Sequence, residues 1–299
     1  LVPEVYHSEG ANFSQYNIVF GNNFRSRMSG RIALAFRAKA ALLAASPAFA
    51  EGSKGTWAEA ADYNGEILDL IGGVAGLAAQ GNTWYKNADE INSLTGGSNP
   101  QEMLWRNGKD ATAYSLEQAQ FPPSLYGSGQ INPTQNLVDA FPMANGYPID
   151  SPEAGYDDQN PYANRDPRFY ATILYDGAKW MTRNVETYFD VDSNGNITGG
   201  GKDTKFGNDS WNASPTGYNM KKFMDEGYAL NSWNFCARNW IHLRMAELYL
   251  NKAEALYYTG DEEGAREALK PVRQRAGMPA VTATGADLLE AIKNERRIE

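Results

Sequence analysis

A mostly α-helical fold of helical hairpins, carrying a large irregular loop-rich insertion with little sheet, is predicted by three features of this sequence. Two stretches, within 28–79 and 237–299, place apolar residues at helical period with turn signals between them. A third stretch, roughly 80–235, changes texture. It is rich in Gly, Pro, Asn, Asp and aromatics and has only short segments of regular pattern.

In chain order, residues 1–27 are polar and aromatic and show no clear period. From Gly30 the pattern turns helical, with Ile32, Phe36, Ala40 and Leu43 on one expected face and Ser46-Pro47 as its end. Thr56-Trp57-Ala58-Glu59 has the form of a capping box, and Trp57, Ala61 and Leu68 form an apolar stripe that stops at Gly72-Gly73. Within the insertion, Phe169 to Tyr175 reads as a strand, while residues 96–100, 121–129 and 195–203 read as loops.

The stretch Arg244 to Gly277 organises the rest. Met245, Tyr249, Ala253 and Leu256 share a face, opposite a polar stripe of Arg244, Glu247, Asn251 and Glu254. Thr259-Gly260 breaks the helix. Asp261 opens a second with Ala265, Leu269 and Val272 inward, and Gly277 stops it before Pro279. Small residues at Ala253 and Ala265 allow two antiparallel helices to approach closely, the spacing logic of a tetratricopeptide-like hairpin. One hairpin cannot bury its own apolar face, so other segments must supply partners. A last helical pattern follows Thr284 and Asp287, a capping pair ahead of Leu288, Leu289 and Ile292.

Composition bounds the function. A hydrophobic fraction of 42% argues for a packed core, and no apolar run approaches the ~20 residues of a membrane helix. A net charge of −9 argues against a nucleic-acid backbone as partner. The lone Cys236 forms no internal disulfide and reads as a buried thiol. No signal peptide is visible, and Glu299 ends inside a helical pattern, so a chain truncated at both ends is expected.

These pieces resemble, in order over most of 25–299, the SusD/RagB family. The resemblance is carried by RIALAFRAKAALLAASP with TWAEAADYNGEILDLI, by PTQNLVDAFPMANGYPI (133–149) and NRDPRFYATILYDGAKW (164–180), and by AELYLNKAEA, AREALKPVRQRAGMP and NERRIE near the end. Pro271 departs from the family, which usually has Asn there, and is expected to kink the helix. The family's N-terminal lipid-attachment cysteine and first helices, and the segment after ERRIE, are also absent from this sequence.

The resemblance implies one SusD-like domain over 1–299, with a first hairpin (28–79), an insertion bearing the ligand face (80–235), and a C-terminal hairpin with a following helix (237–299). It implies a cell-surface lipoprotein of the outer membrane, held through an N-terminal lipid anchor. Its partner would be a SusC-like TonB-dependent transporter, and its ligand a glycan or, as in the RagB branch, a peptide. No cofactor is implied.

Sugar rings present apolar C–H faces to aromatic side chains, which makes Trp180, Tyr188, Trp211, Trp84 and Tyr85 the candidate ligand contacts. Phe189 lies beside them in the insertion. The competing reading is packing, since Trp and Tyr are large hydrophobes first. Packing is favoured for Trp57 and Trp240, which fall on helical faces, and for Trp180, which belongs to the DPRF…W pattern. Tyr188 and Trp211 lie outside that pattern. If both were buried, a scaffold that only docks proteins would be the better reading.

Asp190 to Ile197 resembles the first eight positions of a calcium loop, but Gly201 stands where the bidentate Glu belongs, and Asn-Gly also suits a hairpin turn. Catalytic constellations are scarce. The only histidines are His7 and His242, with His242 expected on an apolar helix. There is no zinc set and no nucleophile elbow, GGVAG and GGGKD lack phosphate-loop context, and no spacing singles out Asp157, Asp158 or Glu226 as a glycosidase pair.

Overall fold

The computed structural model describes residues 28–49, 51–77, 102–106, 118–232, 234 and 241–299. The expectations for His7, Trp84, Tyr85, Cys236 and Trp240, and for the loop at 96–100, fall outside these residues.

Helix α1 (Gly30–Ala45) is capped by Ser29, whose hydroxyl accepts from the Ile32 N–H. Its buried face is Ile32, Ala35, Ala38, Leu42 and Ala45, not the predicted stripe, since Phe36, Ala40 and Leu43 are exposed. The physical reason is distance. The alanine-lined face lets the neighbouring backbone come close, which a face led by Phe36 would prevent. Helix α2 (Trp57–Leu70) packs on it and starts with the expected capping box. The Glu59 N–H donates to Thr56 Oγ1 at 3.2 Å, and the Thr56 N–H donates to Glu59 Oε2 at 3.1 Å.

The middle of the chain contributes β1 (Met103–Arg106), α3 (Gln135–Ala140), α4 (Pro167–Thr172), β2 (Ile173–Leu174), β3 (Lys179–Trp180), β4 (Arg183–Asn184), β5 (Phe189–Val191), β6 (Ile197–Gly200) and β7 (Asn219–Met220). Two corrections arise here. The segment Phe169 to Tyr175 starts as helix, because Asp166 caps the Arg168 N–H and Pro167 sits at the first helical position with φ already set. Part of the loop at 195–203 is strand β6, paired with β5.

The C-terminal part runs β8 (Ile241–Arg244), α5 (Met245–Thr259), α6 (Glu262–Arg275) and α7 (Gly285–Ile298). Every strand among the described residues belongs to a two-stranded antiparallel pair: β1–β8, β2–β7, β3–β4 and β5–β6. His242 lies on β8, exposed and 4.7 Å from the Trp105 ring, so it is not the core residue of an apolar helix. The pairing of β1 with β8 pulls that segment into extended backbone just before α5 begins.

Helix α5 is the central element. It packs against α2 on one side and α6 on the other, and α7 covers it as well. One core cluster joins Ala35, Ile67, Leu68, Met245, Leu248 and Tyr249; another joins Leu250, Ala253, Ala265, Leu269, Leu288 and Ile292. The expected polar stripe of α5 is therefore largely covered. Asn251 is buried and accepts from Arg296 at 2.9 Å, and Glu254 accepts from the same guanidinium. Ala265, Leu269 and Val272 point inward as expected.

Helix α6 runs through Pro271 from Glu262 to Arg275 and ends in a Schellman turn. Gly277 adopts φ 76°, its N–H donates to the Gln274 carbonyl, and the Met278 N–H donates to the Arg273 carbonyl. Thr284 precedes α7, but its side chain makes no capping hydrogen bond. Among the described residues no helix is long and apolar enough to cross a membrane.

Candidate functional site

The insertion has a small core of its own, built on Phe121, Leu125, Leu174, Trp180, Val185, Met224 and Tyr228. Trp180 is 1% exposed there, with Phe121 edge-on at 6.1 Å. This corrects its candidacy as a ligand contact. Its ring is a wall of the core, because β3 pairs with β4 in a tight turn that folds the Trp180 side chain inward. Around this core, among the described residues, the loops leave three open clefts that adjoin one another.

The first cleft has a volume of about 650 Å³ and runs between the 159–163 loop, the 187–189 segment and the 214–218 turn. Tyr162, Tyr188 and Tyr218 line it. Tyr162 and Tyr218 share a hydroxyl–hydroxyl hydrogen bond of 3.3 Å, and Tyr218 donates to Gln135 Oε1 at 2.9 Å. Burial, then the bond to Tyr218, push the Tyr162 phenol well above its ordinary range, so it stays a neutral donor.

The second cleft, also about 660 Å³, shares Asp176 and Tyr188 with the first and adds Asn184, Glu186, Lys202, Phe206 and Asn208. The third, about 550 Å³, shares Lys202 and Asn208 with the second and is bordered by Tyr126, Arg183, Asp209, Asn212 and Asn231. The three adjoin in series. Their sizes are those of small-ligand sites.

Local hydrogen bonding holds this geometry. Asp176 Oδ1 accepts from the Thr187 and Tyr188 N–H groups at 2.7 and 3.0 Å, which fixes the backbone that presents Tyr188. Buried Asp203 accepts from the Ser124 N–H at 2.8 Å, the Ser124 hydroxyl at 3.0 Å and the Glu186 N–H at 2.9 Å, tying three loops together. Gly201 passes so close to Glu186 that an added Cβ would lie 2.3 Å from its carbonyl oxygen, so only glycine fits. Lys202 pairs with Glu186 at 3.1 Å, and that hydrogen bond holds the Glu186 carboxyl below its usual pKa.

Tyr188 is 47% exposed and forms the wall shared by the first two clefts. Trp211 is 93% exposed on a single 3₁₀ turn, Ser210–Asn212, that Asp209 caps through the Asn212 N–H. Its neighbours Asp209 and Asn212 line the third cleft, while the indole itself is not part of that lining. A wholly exposed Trp forfeits its burial free energy, of order 2 kcal/mol or more. The condition that favoured a docking-only scaffold, burial of both residues, is not met. Trp57, by contrast, is half-buried and stacks on Tyr258 at 4.3 Å.

Pattern reading did not find Tyr126, Phe206 or the amide side chains of the clefts. The first two lie in turns whose exposure depends on distant loops, so no local signal marks them. The segment 190–197 forms the β5–β6 hairpin. Asp192 accepts from the Asn194 and Asn196 N–H groups, both at 2.8 Å, and from the Asn196 amide. Asp157 is likewise engaged in its own turn by Gln159 and Asn160. Among the described residues no three His, Cys, Asp or Glu side chains gather to hold a metal.

Comparison with known proteins places this architecture. The model of the SusD family matches residues 82–299. A SusD-like protein of Bacteroides fragilis superposes with a TM-score of 0.64 at 28% identity, covering 94% of this chain and 53% of its own length. A second B. fragilis protein, described as a SusD-like carbohydrate binding protein, gives 0.65 at 26% identity, with coverage of 91% and 50%. A SusD superfamily protein of Parabacteroides distasonis shares the fold at 16% identity, with a TM-score of 0.53 and coverage of 91% and 50%. The chain thus spans about half the length of these relatives. No curated protein matches it significantly. With the family match running over residues 82–299 and the same helical architecture in the solved relatives, this chain belongs to the SusD family.

Proposed function

We propose that this protein binds a glycan, without acting on it chemically, along the loop-rich face of the insertion (80–235). The observation that carries the reading is the exposure of Tyr188 where two clefts adjoin and of Trp211 on the turn whose Asp209 and Asn212 line a third, in a family whose B. fragilis relative is described as carbohydrate binding. Exposed rings over a rigid loop scaffold offer flat apolar surface to sugar C–H faces, while nearby amides and hydroxyls meet the hydroxyl groups. The cleft carboxylates Asp176 and Asp203 already accept backbone N–H groups, which supports binding over catalysis.

In the cell the protein would sit on the outer membrane as a lipid-anchored surface protein and pass its ligand to a SusC-like TonB-dependent transporter. Family membership supports this part of the reading. The test is calorimetric titration with a panel of oligosaccharides and mixed peptides. Saturable binding of a glycan, weakened in Trp211→Ala or Tyr188→Ala, is the expected result. Binding of peptides with no response to any sugar would overturn it in favour of a peptide-capturing lid.

A further inference from the structure

We infer that the ligand is an uncharged glycan chain, several sugar units long, lying through all three adjoining clefts. This rests on the glycan-binding reading above and deepens it.

Charge comes first. Across the three clefts the ionisable lining groups other than tyrosines are four carboxylates (Asp176, Glu186, Asp203, Asp209) and two cations (Arg183, Lys202). The cations are engaged within the protein. Lys202 pairs with Glu186 at 3.1 Å, and Arg183 donates to the Ser124 carbonyl at 2.8 Å. A uronate or sulfate would enter a lining of net negative sign on a chain of net charge −9. At Lys202 it would also have to break an existing ion pair to gain one of its own, which leaves Arg183 as the one lining cation whose charge no carboxylate in these clefts already pairs. Like-charge placement of that kind rejects anionic partners.

The hydrogen-bonding groups point the same way. Gln159 and Asn160 border the first cleft, Asn184 and Asn208 the second, and Asn212 and Asn231 the third. A carboxamide offers donors and an acceptor together, which matches a sugar hydroxyl and gives no preference to an anion.

Extent follows from the shared walls. Tyr188 and Asp176 belong to both the first and second clefts, and Lys202 and Asn208 to both the second and third. A ligand confined to one cleft would leave the part of Tyr188 that lines the other in water. A chain spanning the first two clefts touches Tyr188 from both, and one that continues through the third passes Asp209 and Asn212, the sequence neighbours of exposed Trp211.

The test uses the 299-residue chain and calorimetry with neutral β-glucan and galactomannan oligosaccharides from one to six units, beside oligogalacturonate and heparin fragments as acidic probes. The expected result is binding of a neutral oligosaccharide that tightens at least about tenfold from two to six units. It should change less than about twofold between roughly 50 and 500 mM salt. Tyr188→Ala should weaken the six-unit ligand about fivefold or more with an unchanged melting curve, since its side chain is half exposed. Acidic glycans bound with strongly salt-dependent affinity would overturn the charge inference while upholding glycan capture. A single sugar bound as tightly as six units would overturn the extended site alone. Peptide binding with no response to any glycan would overturn the underlying reading instead.

Discussion

Arg168, in the short helix α4 of the insertion, donates its guanidinium to Glu295 on the last helix, α7, across 127 residues of sequence. The same guanidinium bonds Asp166 at 2.8 Å and Glu299 at 3.1 Å, and Arg273 from α6 reaches the other Glu295 oxygen at 2.8 Å. All of these groups are buried. The DPRF and ERRIE segments are thus two halves of one internal charge network that clamps the loop-rich insertion to the helical scaffold.

Breaking that clamp on one side should be costly. Glu295→Ala leaves two guanidiniums facing an emptied, desolvated site, and a loss of about 3–5 kcal/mol is expected. Urea denaturation followed by circular dichroism measures it. A loss below about 1 kcal/mol would show that the network is solvated in solution.

Glu299 gives the network a pH signature. Burial alone would raise its pKa, but Arg244, Arg275 and Arg168 outweigh that and hold it down to about 2. A carboxyl depressed below its unfolded value of about 4.3 contributes stability that is fully present above that value. The contribution is lost as pH falls through the folded pKa. Stability should therefore decline between about pH 4.5 and pH 2, and Glu299→Gln should flatten that part of the curve. Melting temperatures across that range, wild type against variant, check it.

The two tryptophans should behave as opposites. Trp180→Ala empties a core site and should cost about 3–5 kcal/mol. Trp211→Ala should leave stability within about 0.5 kcal/mol, because its ring is bathed in solvent. The same Trp211 change should weaken glycan binding by about 1 kcal/mol, roughly fivefold. Thermal melts beside calorimetric titrations separate the two.

Asp203 should couple stability to binding. Asp203→Ala orphans the N–H groups of Ser124 and Glu186, and about 1–3 kcal/mol of destabilisation is expected. The clefts on both sides lose their shared brace, so glycan affinity should fall as well. Asp203→Asn, which keeps an acceptor, should recover part of both. Paired melts and titrations of the two variants would show this ordering.

Some of the molecule was legible from local pattern. The capping box at Thr56, the stop at Gly277 and the inward positions Ala265, Leu269 and Val272 depend on neighbours within a turn or two, and each is found as read. The inward face of α1 was not legible. Phe36 and Leu43 fit a helical stripe equally well, and only the close approach of α2 selects Ala35 and Ala38 instead. The strand that holds His242 exists only through pairing with Met103 to Arg106, far away in sequence, so no local pattern marks it.

The helical hairpins, the loop-rich texture of the insertion and, through the signature segments, the family are all legible in the amino-acid sequence. Those properties follow from periodicity, capping and turn chemistry, which act over a few residues. Tertiary structure alone decided which aromatics face solvent. Trp180 and Trp211 are the same residue type in the same kind of segment, and one is buried while the other is bare. Burial is a property of what packs against a side chain. For Trp180 the partners Phe121 and Tyr228 come from dozens of residues away on either side, whereas the turn that carries Trp211 is braced from beneath by Asp209 and leaves its ring in water.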